Sequence, residues 1–193
     1  MTIKSDIWIE RMAIDHGMIT PFFSEKVRFR DQIPAISYGT SSYGYDITLA
    51  SEVKVFVPKP GRVIDPKRFP VEVLEDCVVQ CVGGESFVEI PPHSFALCRS
   101  VEFIKVPNNV LCIVLGKSTY ARCSAILNAT PLEPGWRGYI TLEVSNTSPL
   151  PMRLYVNEGI GQVLFFESDE ECKTNYGTGK YQDQAPRIET ARV

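Results

Sequence analysis

The chain has 193 residues, of which 44% are hydrophobic, and it carries a formal net charge of −3. This length supports one domain with a substantial hydrophobic core and is short for two, so we predict a single domain over residues 1–193. A mildly acidic chain has no general attraction for nucleic acid, and a polyanionic ligand would have to meet a local basic cluster. We therefore expect a small-molecule ligand and no nucleic-acid partner.

Charged residues interrupt the apolar positions near the N-terminus, and no apolar run reaches the length of a membrane span. We therefore expect a soluble, cytoplasmic protein with no membrane partner. The six cysteines lie mostly in apolar segments and lack paired CxxC spacing, which favours reduced core thiols. The two histidines, His16 and His93, have no helix-spaced or CxxC partners, so no metal-binding residue and no zinc site are expected.

A short helix is predicted for residues 5–16, near the N-terminus. Ser5 is a suitable N-cap, and Gly17 is the residue expected to end the helix. Ile9 and Ala13 are four residues apart and share an apolar face. This face predicts a helix that packs on the body of the protein.

From residue 36 onward, apolar residues alternate with polar ones, which predicts β-strands. In the segment 45–49, for example, Asp46 and Thr48 separate three apolar residues. The abundance of Phe and Tyr and the frequent Pro and Gly breaks also favour strands and turns over long helices. The predicted class is mainly β.

Loops and a tail interrupt this pattern. Residues 58–70 are rich in proline and charge and are predicted to form a surface loop. Strand-like segments resume over 71–106 and are densest over 110–167. Residues 168–193 are polar, which indicates a flexible tail or, as the functional alternative, a lid over a ligand.

The segment 138–145 is predicted to be a strand in which every second residue is apolar. The apolar face consists of Ile140, Leu142 and Val144. Glu143 lies mid-strand on the opposite, polar face, together with Thr141. Taken alone, such a carboxylate is more often a solvated surface residue than a catalytic one.

Residues 116–122, with the sequence GKSTYAR, place a glycine, hydroxyls and two cations directly after an apolar strand. A Walker A loop would need glycine at position 111, which is Leu111, so a P-loop is excluded. If the segment forms a helical turn, Ser118 and Arg122 share a face on which one orients water or phosphate and the other neutralises charge. The alternative is an ordinary turn with solvated cations.

Five ordered segments of the chain resemble the dCTP deaminase family. They are GKSTYARC, NATPLEPGW, GYITLEVSN, EGIGQVLFFE and KYQDQ, and SYGTSSYGYDITL and the N-terminal helix are also similar to it. The resemblance covers nearly the whole chain and implies the fold shared with dUTPases, a distorted jelly-roll-like β-barrel that assembles as a homotrimer with active sites between subunits. Relative to some members, the loop around Pro131 and Leu132 is shorter and lacks an arginine.

The resemblance also implies roles for individual residues. Glu143 would be the catalytic general base, with Ser118 and Arg122 beside it as further catalytic residues. Glu133 would lie near the deoxyribose 3′-hydroxyl, and residues of the tail would clasp the triphosphate. The complete set expected to bind substrate is Lys117, Ser118, Thr119, Arg122, Glu133, Thr141, Gln162, Tyr176, Lys180 and Gln184.

The implied reaction is hydrolytic deamination of dCTP to dUTP and ammonia, which supplies dUTP for the synthesis of dUMP and dTTP. Zinc nucleobase deaminases carry an HxE motif and a PCxxC pair, which this sequence lacks, so a zinc-independent route with a glutamate base is predicted. Mg²⁺ is expected on the substrate triphosphate. The resemblance alone implies inhibition by dTTP, and we hypothesise that the tail closes only over a triphosphate.

Two other functions are compatible with the residues. One is a bifunctional dCTP deaminase and dUTP diphosphatase, which would release dUMP and pyrophosphate. The other is a non-catalytic nucleotide-binding β-barrel, in which Glu143 and the cations form a solvated face. The products formed from dCTP distinguish all three.

Overall fold

The structure, a computed structural model, describes residues 2–193. Its helices are α1 (Asp6–His16) and the single turn α2 (Ser118–Ala121), with a 3₁₀ turn at Val71–Val73. The first strands are β1 (Thr2–Ile3), β2 (Ile19–Thr20), β3 (Val27–Arg30), β4 (Ile33–Ser41), β5 (Gly44–Phe56), β6 (Leu74–Asp76) and β7 (Gln80–Val82). The remaining strands are β8 (Glu85–Ile90), β9 (Phe95–Lys105), β10 (Val110–Gly116), β11 (Ala125–Asn128), β12 (Arg137–Asn146), β13 (Met152–Tyr155) and β14 (Gly159–Glu167).

Most of these strands belong to one curled antiparallel sheet. Within residues 2–193 this sheet has 11 strands, with the central order β1-β14-β5-β9-β12-β11. A second sheet of three strands has the order β13-β8-β7. The mainly β fold class is therefore confirmed.

The hydrophobic core lies on the inner face of the curled sheet. β12 contributes Ile140, Leu142 and Val144, which are all buried, whereas Glu143 on the opposite face is only partly buried. The predicted alternation of this strand is thus confirmed. Burial of one such aliphatic side chain contributes about 1.5–3 kcal/mol, which makes the orientation of the strand costly to reverse.

The predicted N-terminal helix is confirmed, beginning at Asp6 with Ser5 as its N-cap. Gly17 ends it in the left-handed conformation, with φ of 61°, and its N–H donates to the carbonyl of Ala13 at 3.1 Å. Ile9 and Ala13 are buried against the sheet, as their spacing indicates. Strands form earlier than predicted, because β1, β2 and β3 all pair within the large sheet before residue 36.

Asp46 and Thr48 alternate with apolar residues on the strand β5, as the sequence predicts, but they do not face solvent. Both are buried, at 1% and 3% exposure. β5 lies in the middle of the sheet, where other polar side chains cover this face. The N–H and hydroxyl of Thr48, for example, donate to the buried Glu102.

Residues 168–193 contain neither helix nor strand, but part of this tail packs on the body. The N–H of Tyr139 donates to the carbonyl of Gln184 at 3.2 Å, and Gln184 forms an isolated parallel bridge with Gly138. Ile188, further along, is buried. Neither helix within the described residues combines the length and apolarity that crossing a bilayer requires.

Gly138 permits the tail to lie this close to β12. Its φ is 152°, and a Cβ at this position would lie 2.8 Å from the backbone nitrogen of Gln184. We expect Gly138→Ala to weaken tail docking by about 1–3 kcal/mol, because either the backbone or the tail must move. Trypsin should then cleave at Lys180 and Arg187 at least about fivefold faster.

Limited trypsin digestion with mass spectrometry measures this change. Gly61→Ala is the matched control, since Gly61 also has a positive φ but its Cβ would meet no atom within 4 Å. Equal cleavage of the tail in the two variants would contradict the docking role of Gly138.

Candidate active site

A cavity of about 550 Å³ lies between the sheet and the tail. The sheet contributes Leu97 from β9 and Thr141 and Glu143 from β12, and the loop 129–136 forms one wall. The residues that the tail contributes are Tyr176, Lys180, Tyr181, Gln184, Glu189, Thr190 and Ala191. The cavity thus combines an apolar lining with a few convergent polar groups, as small-molecule sites do.

Glu143 is the ionisable group on the sheet wall of this cavity. β12 holds it between β9 and β11, opposite Leu97 and Asn128. Desolvation by burial raises the pKa of its carboxyl to about 7, and no cation among the described residues offsets this effect. A carboxyl with this pKa exchanges protons readily near neutral pH.

Two polar atoms in the cavity wall have no hydrogen-bond partner among the described residues. They are the hydroxyl oxygen of Thr141 and the side-chain oxygen of Gln184, and both are buried. An unpaired buried polar atom costs about 1–3 kcal/mol. A polar ligand in the cavity would remove this cost.

The sequence-predicted residues of the tail and of the preceding loop meet in this cavity. Tyr176, Lys180, Gln184 and Glu133 all line it together with Glu143. Two hydrogen bonds to backbone groups of the tail hold it there. The N–H of Tyr176 donates to the carbonyl of Pro134 at 2.8 Å, and the indole N–H of Trp136 donates to the carbonyl of Tyr181 at 2.9 Å.

Two other predicted residues, Lys117 and Gln162, meet elsewhere. The ammonium of Lys117 lies 2.6 Å from a carboxylate oxygen of Asp46. The amide of Gln162 donates to the other oxygen of Asp46 at 3.1 Å and to the hydroxyl of Ser41 at 2.8 Å. These residues do not line the Glu143 cavity.

The structure confirms that Ser118 begins a helical turn, but it does not bring Ser118, Thr119 or Arg122 into the Glu143 cavity. All three are exposed, and the guanidinium of Arg122 donates to the carbonyl of Ser118 at 3.1 Å. β11 runs antiparallel to β12 from Asn146 to Glu143, so α2, which precedes β11, lies at the Asn146 end. Within one chain, the expected catalytic residues therefore form two separate groups.

Sequence reasoning assigned no role to two residues of these groups. Trp136 is 5% exposed, lines the cavity and anchors the tail. The PGW motif contains it, but its indole contact depends on the position of the tail. Asp46 was assigned only to a strand face, although its place between two candidate binding residues is the more informative feature.

An open groove of about 880 Å³ borders the cavity at Phe95 but contains none of the sequence-predicted site residues. Within residues 2–193, no group of three or more His, Cys, Asp and Glu side chains is placed to hold a metal ion. The cysteines are free: Cys98 and Cys112 are buried, Cys77 is partly buried, and Cys81, Cys123 and Cys172 are exposed.

The curled β-fold and the tail-covered cavity, with its carboxyl of near-neutral pKa, define a mainly β protein with a candidate small-molecule site. The profile of a family described as dCTP deaminase-like matches residues 3–168. A protein from Chromobacterium violaceum named dCTP deaminase is 55% identical over 188 residues, which cover 95% of this chain and 96% of the relative. The chain belongs to the dCTP deaminase family.

A second relative agrees with this assignment, and one solved structure is similar in fold. A dCTP deaminase from Neisseria meningitidis is 53% identical over 190 residues, with coverage of 95% and 96%. Among solved structures, the 2'-deoxycytidine 5'-triphosphate deaminase from Agrobacterium tumefaciens superposes with a TM-score of 0.56 at 19% identity. The match covers 84% of this chain and 47% of that one, so this chain spans about half its length, and at this identity the likeness supports the fold alone.

The raised pKa of Glu143 predicts a pH-dependent stability. Between its ordinary value of 4.5 and the folded value of about 7, the unfolded chain loses a proton that the folded chain retains. The cost of burying the carboxylate is therefore absent below about 4.5, grows as the pH rises, and is complete above about 7. As the pH rises over this range, the unfolding free energy of Glu143→Gln should therefore increase relative to that of the wild type. The increase should be only about 1 kcal/mol, because the side chain is partly exposed.

Urea unfolding of both proteins across this pH range measures the difference. Glu133→Gln, which removes the charge of an exposed carboxylate of the same cavity, is the matched control. A stability difference for Glu143→Gln that is independent of pH would contradict the raised pKa.

Proposed function

We propose that this protein deaminates dCTP hydrolytically to dUTP and ammonia, with Glu143 as the general base. The observation that carries the proposal is the position of Glu143, desolvated in a ligand-sized cavity with a pKa of about 7. The names of the relatives that are more than half identical over nearly their full length support the choice of substrate.

One carboxylate can transfer every proton that the reaction needs. Ionised Glu143 takes a proton from water as the water oxygen bonds to C4 of cytosine, and it then delivers that proton to N3. The hydroxyl on C4 subsequently gives up its proton through the same carboxylate to the amino group, and the C–N bond breaks to release ammonia. General base catalysis of this kind contributes about a hundred- to ten-thousand-fold in rate, so positioning groups must contribute the rest.

Those positioning groups come, in this proposal, from a second copy of the chain in a homotrimer. Ser118 and Arg122 are exposed and separated from the cavity of their own chain, which supports a role in a neighbouring one. Arg122 would neutralise phosphate charge, and Ser118 would orient water or phosphate. The site is then complete only where two copies meet.

The substrate triphosphate requires local positive charge, because the chain is acidic overall. Lys180 from the tail and Lys117 and Arg122 from the other copy would supply it. Mg²⁺ would neutralise further charge from the phosphate oxygens with few protein ligands. The side chains proposed to contact the phosphates are cations, hydroxyls and amides, which suits a metal held mainly by phosphates and waters.

The tail of this protein, residues 168–193, would act as the lid of the site and take its productive closed position only over a triphosphate. Its contacts around Trp136 and Gly138 support such a closed state. Steady-state assays that gave equal catalytic efficiency for dCMP and dCTP would contradict this role.

The deaminase proposal is tested by the products formed from dCTP and Mg²⁺. We expect dUTP and ammonia from the wild type and a loss of at least about a hundredfold in kcat for Glu143→Gln, with nucleotide binding retained. Ion-exchange analysis separates the nucleotides. Release of dUMP and pyrophosphate would establish a bifunctional enzyme instead, and no product from the wild type would establish a binding protein.

The pH dependence of the rate tests the role of Glu143. The base must be ionised, so kcat/KM should rise with pH below about 7 and level off above it. Steady-state kinetics over this range provide the measurement. If kcat/KM of the wild type did not change with pH, and the residual activity of Glu143→Gln was equally independent of pH, Glu143 would be ruled out as the titrating base.

The shared site predicts complementation between two inactive variants. In mixed trimers of Glu143→Gln and Arg122→Ala chains, some interfaces combine an intact Glu143 with an intact Arg122. Each mixed trimer restores one of its three sites, so about a third of the sites in purified mixed trimers should be active. Co-expression with two affinity tags yields the mixed trimers, and the unmixed variants are the controls. Absence of restored activity would place both residues in one subunit's site.

A further inference from the structure

Asp46 lies in the middle of the large sheet and is 1% exposed. On β5 it is paired with Gly39 of β4 on one side and with Gln162 of β14 on the other. Removing a carboxylate from water is costly unless cations and hydrogen-bond donors replace the water. Its position therefore requires a set of dedicated partners.

Those partners are two lysines and an amide. Lys117 and Lys26 lie 2.6 Å and 3.0 Å from the same carboxylate oxygen, Oδ2. The amide of Gln162 donates to Oδ1 at 3.1 Å, and the same nitrogen donates to Ser41. One buried carboxylate thus joins three donors from three different parts of the chain.

Close packing by glycines also restricts the side chains of Lys117 and Gln162. A Cβ at Gly159 would lie 3.1 Å from Cδ of Lys117, and a Cβ at Gly44 would lie 3.1 Å from Cδ of Gln162. The aliphatic stem of Lys117 and the amide carbon of Gln162 therefore lie directly against glycine backbone. The two polar ends are held in one arrangement by Asp46 at one end and by this packing along the stem.

The charges around Asp46 do not cancel. Asp46 with Lys117 alone would be neutral and would not attract a polyanion. Lys26, whose side chain is 33% exposed, adds a second cation and leaves the group with one net positive charge. An ammonium has three donor hydrogens, so each lysine can contact Asp46 and still donate to another anion.

We propose that Asp46 is a positioning residue that holds Lys26, Lys117 and Gln162 as one platform for the substrate triphosphate, and that Lys26 is an additional phosphate-binding residue. This inference rests on the proposed function, since that function names the triphosphate. To the proposed function it adds two residues: Asp46, which orders the binding groups, and Lys26, the cation that makes the platform attract an anion.

Two variants test the platform in the full-length protein. Asp46→Asn keeps the shape of the side chain but removes the charge that orients both lysines. It should raise the KM for dCTP about tenfold and leave kcat within about twofold, because one charge-assisted contact is lost from binding. Lys26→Met should raise KM by about threefold or more.

Lys54→Met is the matched control for Lys26→Met. Lys54 is 29% exposed and paired with an aspartate, Asp76, but lies away from Asp46. This control should leave KM unchanged. An unchanged or lower KM for Asp46→Asn would overturn the positioning role, since a carboxylate that merely weakens the positive charge would improve binding when neutralised.

Calorimetric titration with inorganic tripolyphosphate separates this inference from the proposed function, because it needs no deamination. Weaker binding of tripolyphosphate by Asp46→Asn and Lys26→Met than by Lys54→Met supports the platform even if dCTP is not converted. Equal binding by all three variants overturns it. If Asp46→Asn does not fold, the comparison of Lys26→Met with Lys54→Met decides alone.

Discussion

The cavity depends on the antiparallel pairing of β12 with β9. This pairing places Leu142 opposite Cys98 in the core and Glu143 opposite Leu97 on the cavity wall. A shift of one residue would exchange the two faces, burying a carboxylate in the core and exposing three aliphatic side chains. The hydrophobic core therefore determines where the proposed base points, and partial burial beside Leu97 raises its pKa.

The tail converts this wall into an enclosed site. Its attachment uses backbone groups at the beginning of β12, the indole of Trp136 and the buried side chain of Ile188. The N–H of Ile188 also donates to Glu52, which is paired with Arg99 on β9. β12, which orients Glu143, and β5, which carries Glu52, thus also anchor the segment that covers the cavity, so the geometry of Glu143 and of the tail is coupled.

The cations around Asp46 and the proposed base, Glu143, lie in different parts of the chain. Lys117, Lys26 and Gln162 surround Asp46. Lys180 lines the cavity of Glu143, but no cation among the described residues offsets the desolvation of this carboxyl. This separation has a chemical advantage, because a lysine next to Glu143 would lower its pKa and weaken it as a base.

Local patterns in the sequence were sufficient for the elements that depend on neighbouring residues. The helix at 5–16 follows from its cap residues and four-residue spacing, and the orientation of Glu143 follows from the alternation of β12, because both periods are properties of a single segment. The alternation around Asp46 and Thr48 also predicts the strand β5 correctly. It gives no information on the burial of these two residues, because β5 lies between other strands and is covered on both faces.

The sequence by itself therefore determined the mainly β class, the N-terminal helix, the facing of β12 and the family to which the motifs belong. Only the tertiary structure decided that Glu143 meets the tail in one cavity while Lys117 and Gln162 meet at Asp46. It also placed Ser118 and Arg122 away from that cavity in the same chain. The physical reason is that burial, pKa and ion pairing depend on segments more than a hundred residues apart, such as Ser41 and Gln162, which no local pattern brings together.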